Sequence, residues 1–326
     1  MNDRLGPRLA EPLVARLAVV GAGLIGSSLC RVARRKNLAA EIVVADASPQ
    51  TRARVVALGF ADRVVESASE AAQGADMVAL CVPVGGLGAV AAQVGPALKP
   101  GAILTDVGSV KQAALDAMAP HTPPHAHCVP GHPIAGTEQS GPDAGFAALF
   151  HNRWFIITPP EGADAAAVEL LSDFWRAAGS NIEIMDARHH DLVLAITSHV
   201  PHLLAYNMVG VAADLEHVTQ SEVMKFSAGG FRDSTRLAAS DPTMWRDVFL
   251  NNKDAVLEML GRFSEDLSAL QRMIRWGDGE GLFDLFTRTR AIRKGIIAMG
   301  QDSAAPDFGR RAGETGESGE QPPSTP

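Results

Sequence analysis

An α/β fold is predicted for this chain: a doubly wound, mostly parallel sheet in the first half, then an all-helical segment. Three observations predict it. Short apolar runs alternate with helix-like stretches up to about residue 186, a pattern that implies parallel strands with helices on both faces. The glycine turn Gly21-Ala22-Gly23-Leu24-Ile25-Gly26 lies between the first apolar run and the first helix pattern. No convincing strand pattern occurs from Asp186 to about Met299.

Taken in order, residues 1–15 read as an N-terminal extension without the long apolar core of a secretory signal. Strands are expected at 17–20, 42–45, 64–65, 77–82 and 103–107, with helices such as 24–35 and 89–98 between them. Two further runs, 154–158 and 182–185, flank an amphipathic stretch at 165–178 and are expected to extend the same sheet. The dinucleotide-binding domain is therefore drawn at 16–186 and an all-helical substrate and dimerisation domain at 187–302. Asp241-Pro242-Thr243 opens a helix, with Asp as N-cap and Pro at the first helical position. Apolar residues from Trp245 to Ile274 then recur at three- and four-residue spacing, which reads as one long amphipathic helix that packs against a second subunit. A further helix is expected at 282–299. The tail, 303–326, is mostly Gly, Pro, Ser, Glu and Ala and is expected to be disordered.

The glycine turn has the strand, helix and acid that a Rossmann-type dinucleotide site requires. Gly21 permits the tight turn, Gly23 admits a pyrophosphate close to the backbone, and Gly26 lets helix and strand approach. Leu24 and Ile25 open the helix whose N-terminus meets the phosphates. Val82 and Pro83, at the end of the fourth strand, complete the cofactor-binding set. Asp46 ends the second strand, where a carboxylate accepts from both ribose hydroxyls of NAD and repels the 2′-phosphate of NADP. NAD is preferred over NADP, with Arg52 and Arg54 read as solvated positions on the next helix.

A net charge of −8 and a pI near 5.7 argue against a general nucleic-acid surface. Three cysteines, Cys30, Cys81 and Cys128, make neither a disulfide framework nor a zinc motif. No uninterrupted apolar run is long enough to span a bilayer, and a reducing cytoplasm is the expected location.

Four polar segments place reactive side chains beside backbone breakers. Ser109, in 106–111, follows a strand end and either faces the cofactor cleft or caps the next helix. His132, held between Gly131 and Pro133, is a rigidly placed imidazole suited to general-base work near pH 7. His199 and His202 are three apart and share a helix face. Their spacing also suits a metal, as does the group His121, His125 and His127, but no metal site is expected, because no further ligands accompany the first pair and the second group reads as a surface loop. Gly229-Gly230 precede Arg232 and Arg236, a pattern that suits carboxylate recognition.

Together these segments closely resemble the prephenate and arogenate dehydrogenases of tyrosine biosynthesis. The resemblance runs from about residue 17 to about 299. It is carried by GAGLIGSSL at 21–29, DVGSVK at 106–111, GHPIAGTEQSG at 131–141, TSHVPH at 197–202 and GGFRDSTRLAASDPTMWRDVFLNN at 229–252. It implies a Rossmann domain followed by a helical dimerisation domain, and a homodimer. The implied reaction is oxidative decarboxylation of a cyclohexadienol. By motif match, the resemblance implies that His132 is the catalytic base on the 4-hydroxyl and that Ser109 orients that hydroxyl and the nicotinamide. It likewise implies that Arg236 binds the ring carboxylate, with His199, Thr137, Arg232 and Trp245 at other pocket positions. Family members often carry lysine where Arg232 stands. Neither a chorismate mutase segment before this region nor a regulatory domain after it is expected. A β-hydroxyacid dehydrogenase-like oxidoreductase and a non-catalytic NAD-sensing protein are the competing readings.

Overall fold

The computed structural model describes residues 6–137, 139–219 and 225–298. The start of the N-terminal extension and the tail expected to be disordered, 303–326, lie outside the described residues. Six parallel strands form the first sheet, in the order β3-β2-β1-β4-β5-β6. They are β1 (Val14–Val20), β2 (Ala39–Ala45), β3 (Arg63–Val65), β4 (Met77–Leu80), β5 (Ile103–Asp106) and β6 (His127–Cys128). Helices α1 (Leu24–Lys36), α2 (Pro49–Leu58), α3 (Ala68–Ala72), α4 (Leu87–Val94) and α5 (Lys111–Met118) connect them.

Both faces of this sheet are covered, which is why its strands read as continuous apolar runs. Leu17 and Val19 point into one core with Met77, Phe155 and Trp175, while Ala18 and Val20 point into the other with Val78, Leu80 and Leu87. Burying each large aliphatic side chain contributes about 1.5–3 kcal/mol. The second core also takes in Trp245 and Val248, so the helical half docks onto the sheet on that side.

The expectation of one continuous sheet is corrected. β7 (Gly131–Pro133), β8 (Trp154–Ile157) and β9 (Asn181–Ile184) form a separate three-stranded sheet, with β7 antiparallel and β9 parallel to β8. The backbone hydrogen bonds change hands at Pro130. Val129 N–H still donates to Leu104 O, but the next donor on that side, Gly131 N–H, turns to the Asp106 carboxylate, and the Pro130 carbonyl accepts from Thr158 N–H. The chain thus changes partner one residue before Gly131. α6 (Ala165–Ala178) connects β8 and β9, with Asp164 as N-cap.

The helical half comprises α7 (Ala187–Leu194), a π-turn (Ala195–His199), α8 (Val200–Thr219), α9 (Gly229–Thr235), α10 (Pro242–Asn251), α11 (Lys253–Trp276) and α12 (Gly279–Ala298). The predicted long helix is therefore two helices. Asn252 breaks it with φ −111° and ψ 34° and turns its buried amide inward. The stretch Ala187–Leu215 is long and apolar enough to cross a membrane by length and composition. It carries the buried groups His190, Asp191 and His199, which bond to or press on other parts of the fold, so its first part packs inward.

Candidate active site

The cofactor end is built at the carboxyl end of β1. Gly21 has φ +98°, and a Cβ there would run into the Cys81 carbonyl. A Cβ on Gly26 would collide with the Gly21 carbonyl, so helix and turn are as close as backbone allows. Gly23 differs, because a Cβ there would meet no protein atom within 4 Å. Its side of the turn is open. α1 starts there without a side-chain cap and with no acid in its first turn, so its N–H groups are available to an anion. The residues present therefore fit a dinucleotide. Val82 lines the turn beside Gly21, and Pro83 starts the tight turn Val84–Gly86 that follows β4.

Asp46 accepts from Ala22 N–H and Ser48 N–H, both at 2.9 Å, which aims its carboxylate at the turn. Of the two neighbouring arginines, Arg54 is exposed as expected, whereas Arg52 is only partly so. Arg52 donates to the Asp46 and Ala47 carbonyls and to Glu66, and Arg54 makes a bidentate pair with Asp143.

The catalytic end lies between β5, β7 and α7. Lys111 is fully buried, donating to Asp106 Oδ2 at 2.5 Å and to the Gly131 carbonyl at 2.7 Å. Asp106 in turn accepts from Gly108 N–H and Gly131 N–H. This pair pins the loop carrying Ser109 to the strand carrying His132. Burial pushes the Lys111 ammonium below its usual range, against the attraction of Asp106. Ser109, half-buried, does not cap α5. The Asp191 carboxylate does so from α7, accepting from Lys111 N–H at 2.7 Å and Gln112 N–H at 2.9 Å.

His132 lies at the centre of β7 and is buried. Its Nδ1 is 2.9 Å from His190 Nε2, and His190 Nδ1 is 2.8 Å from Asp191 Oδ1. Nε2 of His132 has no protein partner among the described residues. Burial first, then the neighbouring His190, Lys111 and His199, holds His132 well below the ordinary imidazole range. It is therefore neutral at pH 7 and able to accept a proton.

His199 closes the next wall. The π-turn that carries it precedes Pro201, whose missing N–H cannot serve a regular helical ladder. Its Nδ1 faces the Asn252 amide at 3.1 Å, and Asn252 also donates to the Asp191 carbonyl. Burial lowers His199 to about 4, so it too is neutral. Among the described residues its Nε2 and the Trp245 indole nitrogen are buried with no hydrogen-bond partner. His202 stacks on Trp245 with ring centroids 3.6 Å apart, and Trp245 meets His199 edge to face at 6.0 Å.

Arg236 is exposed, and its charge bears on His202, lowering that imidazole after burial has done so. His202, Trp245 and His199 make one run of ring contacts and His190 and His132 another, and the two runs are close enough for the charge of His199 to bear on His132 and that of His190 on His199. Arg232 is not brought in; it is exposed and donates to Asp233. Thr137, half-buried, accepts from Gln139 N–H. Among the second histidine group, His125 bonds the Leu98 carbonyl and His127 lies in β6. The residues missed from sequence are Lys111, His190, Asp191 and Asn252. The one local signal in the sequence was an adjacent His-Asp pair directly before the apolar run 192–194.

The prephenate dehydrogenase nucleotide-binding domain matches residues 29–184, and the prephenate dehydrogenase dimerization domain matches 186–288. The chain belongs to the prephenate dehydrogenase family. A cyclohexadienyl dehydrogenase of Zymomonas mobilis is 42% identical over 277 residues, covering 85% of this chain and 94% of its own. The crystal structure of prephenate dehydrogenase from A. aeolicus in complex with hydroxyphenyl propionate and NAD+ aligns with a TM-score of 0.78 at 31% identity, over 86% of this chain and 98% of that one. Synechocystis arogenate dehydrogenase aligns at 0.73 with 26% identity, over 86% and 99%. Prephenate dehydrogenase domains of both kinds, nucleotide-binding and dimerization, thus follow one another in this chain.

Proposed function

We propose that this chain catalyses NAD-dependent oxidative decarboxylation of prephenate, arogenate or both, with His132 as the general base. One observation carries the assignment of the base: a buried, neutral imidazole next to the Ser109 loop, with Nδ1 engaged and Nε2 free. Bound NAD supplies the hydride acceptor. His132 Nε2 takes the proton of the ring 4-hydroxyl as hydride leaves C4, and the ring carboxylate departs as CO2. Aromatisation drives the step, so the protein's share is proton removal and positioning. Ser109 orients the hydroxyl and the nicotinamide, and Arg236 binds a substrate carboxylate. His199, Thr137 and Trp245 line the pocket, whereas Arg232, paired with Asp233 at the surface, is given no part in it.

Gly21, Gly23, Leu24, Ile25, Gly26, Val82 and Pro83 hold the dinucleotide, and Asp46 reads the ribose hydroxyls. The engagement of Arg52 and Arg54 favours NAD over NADP, because neither guanidinium is at liberty to meet a 2′-phosphate. The chain works as a homodimer built on its helical half, divided from the nucleotide domain near Asp186. Its three free thiols suit a reducing cytoplasm.

The test follows NADH absorbance with prephenate and with arogenate, each with NAD and NADP. Turnover with NAD and at least one of the two acids is expected. No turnover with either would overturn the reading.

A further inference from the structure

We propose that His190 and Asp191 are positioning residues for the reaction, holding His132 as the tautomer whose lone pair lies on Nε2. The inference rests on the reading of His132 as the base. Nothing in the glycine turn, the substrate-facing side chains or the dimer-forming half requires this pair.

The assignment follows from counting protons along the chain of contacts. Asp191 accepts backbone N–H groups on both oxygens, from Lys111 and Gln112, so its carboxylate is held as an acceptor. His190 Nδ1, 2.8 Å from Asp191 Oδ1, must then carry a proton and donate it. A neutral imidazole has only one N–H, so His190 Nε2 is a lone pair. His132 Nδ1, 2.9 Å away, must donate to it. The lone pair of His132 is thereby placed on Nε2, the one ring nitrogen without a protein partner among the described residues. Free neutral imidazole side chains favour the opposite tautomer, with the proton on Nε2, and in that form His132 cannot accept from a substrate hydroxyl. When His132 takes the proton it keeps its Nδ1–H bond to His190. No proton need travel on to Asp191.

Asp191 does more than aim one ring. Its carboxylate caps α5, directly after the Ser109 loop, and its carbonyl accepts from Asn252, whose amide faces His199 Nδ1. Ser109, His132 and His199 are therefore all held from one residue of α7. The charged and titratable groups facing the histidine pair are Asp191 from α7, Lys111 from α5, Asp106 from β5 and His199 from the π-turn.

The experiment uses the full-length enzyme with ring-15N histidine. Its NMR spectrum is expected to show His132 protonated at Nδ1 and unprotonated at Nε2 at neutral pH. His190→Leu is expected to lower kcat by about 10²-fold, the lower end of what a general base contributes, with KM for both substrates within about twofold. His190→Gln keeps an acceptor for His132 Nδ1–H and is expected to recover to within about tenfold of the parent. A proton on Nε2 of His132 in the unaltered enzyme overturns the proposal, whether or not any variant folds. So does full turnover in His190→Leu, or a Gln variant no better than Leu. His132→Asn, run alongside, separates the two readings: if it stays active the base is misassigned, and if it is inactive while His190→Leu is normal only the positioning role fails.

Discussion

Around the carboxyl ends of β5 and β7 the charged groups are buried and matched to one another, whereas along α9 and α11 charge stands in solvent. Lys111 and Asp106 are fully buried as a pair, and Asp191 spends its carboxylate on two backbone donors and an imidazole. Arg232 and Arg262, by contrast, make exposed pairs with Asp233 and Glu258 of their own helices, the kind that adds little stability. Apolar residues divide the same way. The sheet cores are closed, while Ile274, Trp276, Phe283 and Phe286 of α11 and α12 are exposed. The first region is finished within one chain. The second is shaped to be finished by something else, a second subunit and a substrate.

Substitutions test that contrast. The largest effect is expected in the finished region: His132→Asn should lower kcat by about 10²–10⁴-fold, while NAD affinity measured by fluorescence titration stays nearly constant. In the open region Arg236→Ala should weaken substrate binding by about 2–4 kcal/mol, read as a raised KM. Arg232→Ala, already paired at the surface, should change it by less than about 0.5 kcal/mol. Equal effects of the two arginines would remove the distinction between them.

The contrast also marks what could be read from residues alone. The glycine turn, Asp46 and the alternating first half are local patterns, and each leads directly to a strand, a turn or a helix. His132 stood out because Gly131 and Pro133 flank it. Lys111, His190, Asp191 and Asn252 did not: Asp106 lies five residues from Lys111 and Asp191 adjoins His190, but the contacts that tie them to the rest of the site span 20 to 80 residues. Asn252 was invisible for a further reason: apolar spacing runs straight through it, and only its buried amide reveals the break. The second sheet was missed because an apolar run names no partner. The change of partner shows only in the hydrogen bonds, where Gly131 N–H meets the Asp106 carboxylate and the Pro130 carbonyl meets Thr158 N–H.

Phe286→Asp tests the open region without touching a core. It is expected to convert a dimer to monomer on multi-angle light scattering, with little change in circular dichroism; an unchanged mass would move the interface elsewhere.

The smallest effect concerns acid. His132, His190, His199 and His202 all titrate below the ordinary imidazole value, chiefly through burial. At pH 7 folded and unfolded chains both hold them neutral, and there is no penalty. Below about pH 6.5 the unfolded chain binds protons that the folded chain refuses, so stability falls with pH until His199 titrates near 4. Tm should therefore drop between pH 7 and pH 5, and a flat profile would contradict the burial of these rings.

Gly131 gives the architecture one more meaning. A Cβ on it would enter the ring of Phe155, which lies flat against Trp175 at 3.9 Å. The strand that carries His132 thus rests on an aromatic slab at Gly131, and packed interiors pass on small displacements rather than absorb them. Redesign of that slab for heat resistance has to be judged by turnover as well as by melting, because the strand that carries His132 is seated on it.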